Sequence, residues 1–176
     1  MKFDPDRHHR RSIRLRGYDY RQAGTYFVTI CTHHRECTLG AIHNRKVNLS
    51  PIGQIAERCW CALPEHFTFV DLDAFVIMPN HLHGIINIKD RGSGTMTALD
   101  DARTLAPAKG TQAASLAALV QNFKSVSTRK INHLPKSAGT PVWQRGYYER
   151  VVRDQTELGR IRRYIEANPE RWAGNA

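Results

Sequence analysis

The sequence predicts a mixed fold of strands and helices, of the α+β class. Residues 26–32 are rich in aromatic and β-branched side chains, which is typical of a strand. Segments that follow Ser50 and Ser115 instead carry apolar residues at helical spacing. Both kinds of element recur along 176 residues, a length that suits one domain with a single core.

The domain organisation follows from changes in composition along the chain. Residues 1–16 are predicted to form a basic arm, which is either a solvated tail or a strip that follows a phosphate backbone. A single domain is expected over residues 17–174. Within it, residues 90–113 are rich in Gly, Ser, Thr and Ala without any period, and this indicates a flexible loop.

The elements of the domain can be assigned from periodicity and from turn residues. In chain order they are strands at 26–32 and 46–49, a helix over 52–63 that Pro64 ends, strands at 67–77 and 82–88 around a turn at 78–80, a helix over 115–132, and a short strand near the end of 142–152. Trp143 and Tyr147, which precede that last strand, are expected in the core rather than as platforms for stacked bases.

The last helix has a recognisable start. Asp154 and Glu157 are spaced as the N-cap and third residue of a capping box. Pro169 is expected to end the helix just after Asn168. Tyr164 and Asn168, four residues apart, should then share one helical face.

The composition favours a polyanionic partner. The chain has 26 Lys and Arg residues against 16 Asp and Glu residues, a net charge of +10, and an isoelectric point of about 9.8. Such an excess attracts phosphates, so nucleic acid is the leading candidate. No apolar run is long enough to span a bilayer and no signal peptide is visible, so we expect a soluble, cytoplasmic protein with no membrane partner. The four cysteines lack Cys-x-x-Cys spacing and are expected as buried free thiols.

His81 and His83 are the strongest candidates for a functional site. Alternate residues of a strand point to the same face, so both imidazoles can aim at one point while Leu82 turns into the core. Two ligands of one metal ion require this geometry. The alternative is a pair of surface histidines on an edge strand. Asn168 could add an amide oxygen, and a divalent ion held there would polarise a phosphodiester.

Tyr164 is the candidate nucleophile. A phenol with an ordinary pKa of about 10 is a poor nucleophile, so a tyrosine on a helix normally only packs. A metal ion and neighbouring arginines favour the phenolate instead. Attack on a phosphodiester would give a covalent phosphotyrosine and a free 3′ hydroxyl, and the bond energy would be kept for rejoining without ATP.

Five motifs together carry a resemblance to a known family. They are Gly17-Tyr18-Asp19-Tyr20, the strand at 26–32, Met78-Pro79-Asn80-His81-Leu82-His83-Gly84, Trp143-Gln144-Arg145-Gly146-Tyr147-Tyr148, and Tyr164-Ile165-Glu166-Ala167-Asn168-Pro169. The chain resembles the single-tyrosine HUH transposases, and among them the REP-associated tyrosine transposases, from about residue 11 to residue 172. HUH stands for histidine, hydrophobic residue, histidine.

The resemblance implies a fold, an activity and a set of site residues. The fold would be ferredoxin-like, with an antiparallel central sheet packed by helices as in HUH endonucleases. His81, His83 and Asn168 would bind Mg²⁺ or Mn²⁺, and Tyr164 would cut DNA and form a 5′-phosphotyrosine. The protein would be a transposase, a single-strand endonuclease and strand transferase active in DNA recombination. Its partners would be single-stranded or hairpin DNA such as REP-like palindromes, bound by a monomer or a homodimer.

Further DNA contacts and two other functions remain open. Five basic residues are candidate phosphate contacts, although a solvated surface charge would explain each of them: Lys124, Arg129, Arg145, Arg160 and Arg163. The chain could instead be a non-catalytic nucleic-acid-binding protein that kept the fold. It could also be a hydrolytic metal nuclease, in which water attacks and Tyr164 only packs.

Overall fold

The computed structural model describes residues 18–90, 114–135, 137 and 139–172. The strands are β1 (Gly24–Cys31), β2 (Gly40–His43), β3 (Lys46–Leu49), β4 (Val70–Met78), β5 (His81–Ile88) and β6 (Tyr148–Val152). The helices are α1 (Pro51–Cys61), α2 (Leu63–His66), α3 (Leu116–Ile131), α4 (Gln155–Glu166) and α5 (Asn168–Arg171). The expected basic arm, and all of the expected loop except Asp90, lie outside the described residues.

A four-stranded sheet forms the centre of the fold. Its strand order is β4-β5-β1-β6, and every neighbouring pair is antiparallel. Helix α1 lies between β1 and β4 in the chain, and α3 lies between β5 and β6. This order confirms the predicted ferredoxin-like arrangement of an antiparallel sheet packed by helices. Because β5 is an interior strand, the alternative that His81 and His83 lie on an edge strand is wrong.

The two faces of the sheet carry different helices. Alternate residues of β1 point to opposite sides, so Val28 packs in the large core cluster with α1 and α3. Phe27 lies in a smaller cluster with Ile85 and the α4 residues Leu158 and Ile165. The sheet therefore has α1 and α3 on one face and α4 on the other.

The helix starts follow the capping signals of the sequence. Ser50 Oγ accepts from the backbone N–H of Gly53 at 3.1 Å, and Ser115 Oγ accepts from that of Ala118 at 3.3 Å. Asp154 Oδ1 accepts from the N–H of Glu157 at 2.7 Å. Each side chain satisfies a donor that the first helical turn leaves unpaired, so the three boundaries are set locally.

The structure departs from the predicted elements at a few points. Strand β2 was not predicted, since it has four residues and pairs with β3 through a turn at Asn44 and Arg45, both with positive φ. The Asn-Gly sequence usual for such a turn is absent. Strand β4 begins at Val70 rather than at residue 67, because the chain first forms the short helix α2, with Pro64 in its first turn and Phe67 as its C-cap.

The cysteines and the helix lengths bear on two further expectations. All four cysteines are free, but Cys59 alone is buried; Cys31 is half-buried, and Cys37 and Cys61 are exposed. The prediction of buried thiols is therefore wrong for three of the four.

Within the described ranges, the helices are too short or too polar to cross a bilayer.

Candidate active site

The histidines of β5 converge on one point on the α4 face of the sheet. His81 Nε2 and His83 Nε2 are 3.0 Å apart, and the ring centroids are 4.4 Å apart. Leu82 between them is fully buried on the opposite face. The alternation of the strand therefore produces the convergence that the sequence predicted.

Each imidazole has an oxygen atom within hydrogen-bond distance of its Nδ1. Asn80 Oδ1 accepts a hydrogen bond from His81 Nδ1 at 2.7 Å. Thr29 Oγ1 lies 2.8 Å from His83 Nδ1, across the β1–β5 pairing that sets these two residues opposite each other. With a proton on each Nδ1, both Nε2 atoms present lone pairs to the same point. Hydrogen bonds of this kind orient metal-binding histidines in proteins.

Burial keeps both imidazoles neutral. It lowers the pKa of His81 to about 4, with a smaller contribution from the charge of Arg35. Burial also lowers the pKa of His83 to about 3, with a smaller contribution from His81. Neutral imidazole is the form that binds metal ions, so this pair of nitrogen donors fits a divalent cation.

Helix α4 brings Tyr164 to the histidines. Its hydroxyl lies 3.2 Å from His83 Nε2, and its side chain is 43% exposed. The exposure decides what the group can do, because a strand of DNA can reach a phenol at the surface. Leu158 and Ile165 anchor the helix in the core, and Arg162 Nη2 donates to Asp73 Oδ2 at 2.6 Å. The site is therefore assembled within one chain.

Asn168 does not lie on the same helix as Tyr164, which corrects the prediction. Helix α4 ends at Glu166, and Asn168 opens α5. The cause is Pro169, which has no N–H to donate to the carbonyl of Ile165 and so breaks the helical hydrogen-bond series.

The end of helix α5 nevertheless lies near His81. The ring of Trp172, the residue that ends α5, lies 5.9 Å from that of His81. In the parts of the chain that the structure describes, no three side chains of His, Cys, Asp or Glu are grouped to hold a metal ion. Among the described residues, a third protein ligand would therefore be of another type, such as the amide of Asn168.

Two of the predicted basic residues lie beside Tyr164. Arg160 and Arg163 line an open cleft of about 560 Å³ that Tyr164 also lines. The rest of the lining includes Glu166, Glu170 and Arg171. The cleft combines positive charge with the exposed phenol.

The other three predicted basic residues lie elsewhere. Arg129 is exposed on α3, on the opposite face of the sheet. Arg145 is exposed in the turn before β6. The ammonium of Lys124 donates to the carbonyl oxygens of Gln144 and Gly146, and burial lowers its pKa to about 8. Lys124 thus contacts the backbone of the turn that carries Arg145.

Sequence reasoning missed several residues that complete the surroundings of the histidines. Thr29 and Asn80 hold the imidazoles, and Phe27 stacks on His83 with ring centroids 5.3 Å apart. The Trp172 ring lies beside His81, with ring centroids 5.9 Å apart. The position of Asn80 directly before His81 in the sequence could have indicated a hydrogen bond between them. The others depend on strand register and helix docking, which spacing along the chain does not reveal.

Comparisons with known proteins find similarity in sequence and in structure. An uncharacterized protein of Haemophilus influenzae (strain ATCC 51907 / DSM 11121 / KW20 / Rd) is 41% identical over 175 residues, covering 97% of this chain and 94% of that protein. No family model matches the chain.

The structural relatives are more distant in sequence. A REP-associated tyrosine transposase bound to a REP hairpin is 17% identical and superposes with a TM-score of 0.59, over 89% of this chain and 72% of that one. A candidate transposase from Deinococcus radiodurans R1 is 19% identical with a TM-score of 0.42, over 87% of this chain and 95% of that one. At 17% identity, the similarity to the REP-associated tyrosine transposase shows a shared fold.

Proposed function

We propose that this chain, which belongs to the same family as the uncharacterized Haemophilus influenzae protein, cleaves and rejoins single-stranded or hairpin DNA through Tyr164 with the help of a divalent metal ion. One observation carries the proposal. The Tyr164 hydroxyl lies 3.2 Å from His83 Nε2, which itself lies 3.0 Å from His81 Nε2. A candidate nucleophile on an exposed ring therefore meets a pair of imidazole nitrogens that could bind a metal ion.

The proposed reaction exchanges one phosphodiester for another. The phenolate oxygen of Tyr164 attacks phosphorus, and the bond from phosphorus to the 3′ oxygen breaks. The 3′ oxygen takes up a proton and becomes a free hydroxyl, while the downstream strand stays on Tyr164 through its 5′ phosphate. Attack by a 3′ hydroxyl reverses these changes and rejoins a strand, so the reaction needs no ATP.

We propose His81, His83 and Asn168 as the ligands of Mg²⁺ or Mn²⁺. The two Nε2 atoms converge, and the oxygens on the two Nδ1 atoms hold the rings in that orientation. A divalent ion bound there supplies charge stabilisation to the phosphodiester during the reaction.

The proposed substrate is DNA with an unpaired segment beside a hairpin. Arg160 and Arg163 would contact phosphates in the cleft next to Tyr164, and Arg145 would contact them from the turn before β6. Arg129 and Lys124 are weaker candidates, given their positions on α3. The REP-hairpin complex of the structurally similar transposase motivates the choice of hairpin DNA. Since Tyr164 reaches the histidines of its own chain, we propose that a monomer can act.

The test is a covalent-adduct assay. Wild type and Tyr164→Phe are incubated with end-labelled hairpin DNA carrying single-stranded flanks, with Mg²⁺, Mn²⁺ or EDTA, and run on a denaturing gel. We expect a metal-dependent protein–DNA band that Tyr164→Phe lacks and that Tyr18→Phe, a distant tyrosine variant, retains. Cleavage that survives in Tyr164→Phe would instead indicate attack by water. Salt-sensitive binding with no product under any metal would indicate a binding protein.

A further inference from the structure

Tyr148 has no part in the proposed reaction, yet it is exposed next to the site. In the described part of the chain, the large hydrophobic side chains that are exposed are those of Tyr164, at 43%, and Tyr148, at 40%. Exposure alone does not imply a ligand, since single exposed apolar side chains are common on protein surfaces. The location of Tyr148 beside the candidate site gives its exposure a meaning.

The strand register sets Tyr148 in one row with the site. Thr29 pairs with His83 on one side and with Tyr148 on the other. Paired residues of adjacent antiparallel strands point to the same face, so all three lie on the α4 face of the sheet. Two strand spacings separate the backbones of Tyr148 and His83, which is roughly 10 Å. Tyr148 is therefore a close neighbour of the point where Tyr164 and the histidines meet.

Phe27 joins the two exposed tyrosines into one aromatic surface. Its ring centroid lies 6.3 Å from that of Tyr148 and 6.2 Å from that of Tyr164, edge to face in both cases. Phe27 also stacks on His83. The contact with Phe27 restricts the ring of Tyr148 before any ligand arrives, so less side-chain entropy is lost when a flat group stacks on it.

The turn before Tyr148 is fastened to helix α3. Trp143 Nε1 donates to Ser127 Oγ at 2.9 Å inside the core, in agreement with the predicted core position of Trp143. The Lys124 ammonium donates to the carbonyl oxygens on either side of Arg145. These bonds hold the backbone that leads into β6 and leave the Arg145 side chain exposed close to Tyr148 in the chain.

The charge of the surroundings selects the ligand class. The exposed Tyr148 ring in a chain of net charge +10, with an exposed arginine three residues before it, suits a ligand that combines a flat π face with phosphates. An apolar protein surface would need a wider apolar patch. A base of single-stranded DNA meets both requirements.

We propose that the Tyr148 ring is a stacking platform for one unpaired base of the DNA strand that enters the site of His81, His83 and Tyr164. The inference rests on the proposed function, since it takes DNA as the substrate. Stacking there holds the strand on the β6 side of the histidines, while the arginines beside Tyr164 hold it on the α4 side. The platform needs a π face and not a hydroxyl.

The test separates binding from chemistry. Affinity for a fluorescently labelled hairpin with single-stranded flanks is measured by anisotropy in EDTA, for wild type, Tyr148→Phe and Tyr148→Ser. We expect Tyr148→Phe to bind as wild type does and Tyr148→Ser to bind on the order of tenfold more weakly. Equal binding by all three proteins would overturn the proposal, and so would equal losses in both variants.

An abasic scan of the flanks then identifies the stacked base. We expect one abasic position to weaken binding by wild type and by Tyr148→Phe, but to cause no further loss in Tyr148→Ser. If Tyr148→Ser binds more weakly but every abasic position weakens its binding as in wild type, the substitution has only disturbed strand β6. That result would overturn the proposal of a stacking platform. The covalent-adduct assay on the same proteins tests the proposed function separately. It depends on the chemistry of Tyr164, whereas DNA binding measured in EDTA does not.

Discussion

Thr29 Oγ1 lies 2.8 Å from Nδ1 of His83, although the two residues are 54 positions apart in the chain. The β1–β5 register alone brings them together. The hydroxyl holds the ring so that Nε2 faces His81, and it accepts from Nδ1 when that nitrogen carries the proton. A hydrogen bond across the sheet thus orients the imidazole as the proposed metal site requires.

Replacing Thr29 with Val tests this role, since Val keeps the shape and removes the hydroxyl. We expect Mn²⁺ to bind about 10–100-fold more weakly, because His83 loses the partner that orients it. Isothermal titration with Mn²⁺ measures the change. The matched control is Thr25→Val in the same strand, which loses a 2.7 Å hydrogen bond to Asn87 at the far end from the site. Equal Mn²⁺ affinity in the two variants would contradict the prediction.

Replacing Asn168 tests the third proposed ligand. We expect Asn168→Ala to weaken Mn²⁺ binding by at least roughly 10-fold and to reduce cleavage, while DNA binding in EDTA stays unchanged. Asn168→Asp keeps an oxygen at the position and should recover metal binding. The control is Gln155→Ala, at the exposed start of α4. Full Mn²⁺ affinity in Asn168→Ala would remove this residue from the proposed ligand set.

Gly84 follows His83 on β5 and lies against a buried indole. A Cβ at this position would stand 2.3 Å from Cζ2 of Trp60, whose side chain is fully buried. We expect Gly84→Ala to lower the free energy of unfolding by about 1–3 kcal/mol, because the core has no room for the methyl group. Urea denaturation measures the loss.

Gly159 provides a matched control for Gly84. A Cβ there would meet only the end of the flexible Arg163 side chain, at 3.7 Å. Gly159→Ala should therefore raise the free energy of unfolding by roughly 0.5–1 kcal/mol, the usual gain inside a helix. A destabilised Gly159→Ala or an unaffected Gly84→Ala would contradict this account of the packing.

The ion pair between Asp73 and Arg162 connects β4 to the helix that carries Tyr164, and it predicts a pH dependence. The Arg162 guanidinium lowers the pKa of Asp73 below its ordinary value of 3.8. A carboxyl whose pKa is lower in the folded chain stabilises the fold above pH 3.8, and this contribution is lost as the pH falls through the lowered pKa.

We therefore expect Asp73→Asn to be less stable than wild type at neutral pH, and the difference to vanish in strong acid. Urea midpoints measured across this range provide the comparison. Cleavage should fall by up to roughly tenfold, because α4 is held less firmly and Tyr164 is displaced. The control, Asp71→Asn, loses an exposed ion pair whose partner is Lys89 and not a residue of α4, and its cleavage rate should not change. A stability difference that persists in acid would show that the ion pair is not its cause.

Much of the local structure could be predicted from the sequence because its causes are local. The caps Ser50, Ser115 and Asp154 mark the starts of helices at the positions the structure gives. Alternation in β5 places His81 and His83 on one face. The hairpin of β2 and β3 was half missed, since its turn uses Asn44 and Arg45 instead of a sequence with a glycine.

The sequence by itself determined the strands of the central sheet, the three long helices, the strand face that the histidines share, and the large positive charge. These depend on backbone sterics, side-chain alternation and composition, all of which can be read along the chain. Only the tertiary structure decided that Thr29 faces His83, that Tyr164 reaches the histidines of its own chain, and that Phe27 and Tyr148 adjoin them. Those contacts depend on strand register and on how α4 packs against the sheet. Many side chains that are distant in the chain contribute to the free energy of strand pairing and of helix packing, so no single segment encodes either one.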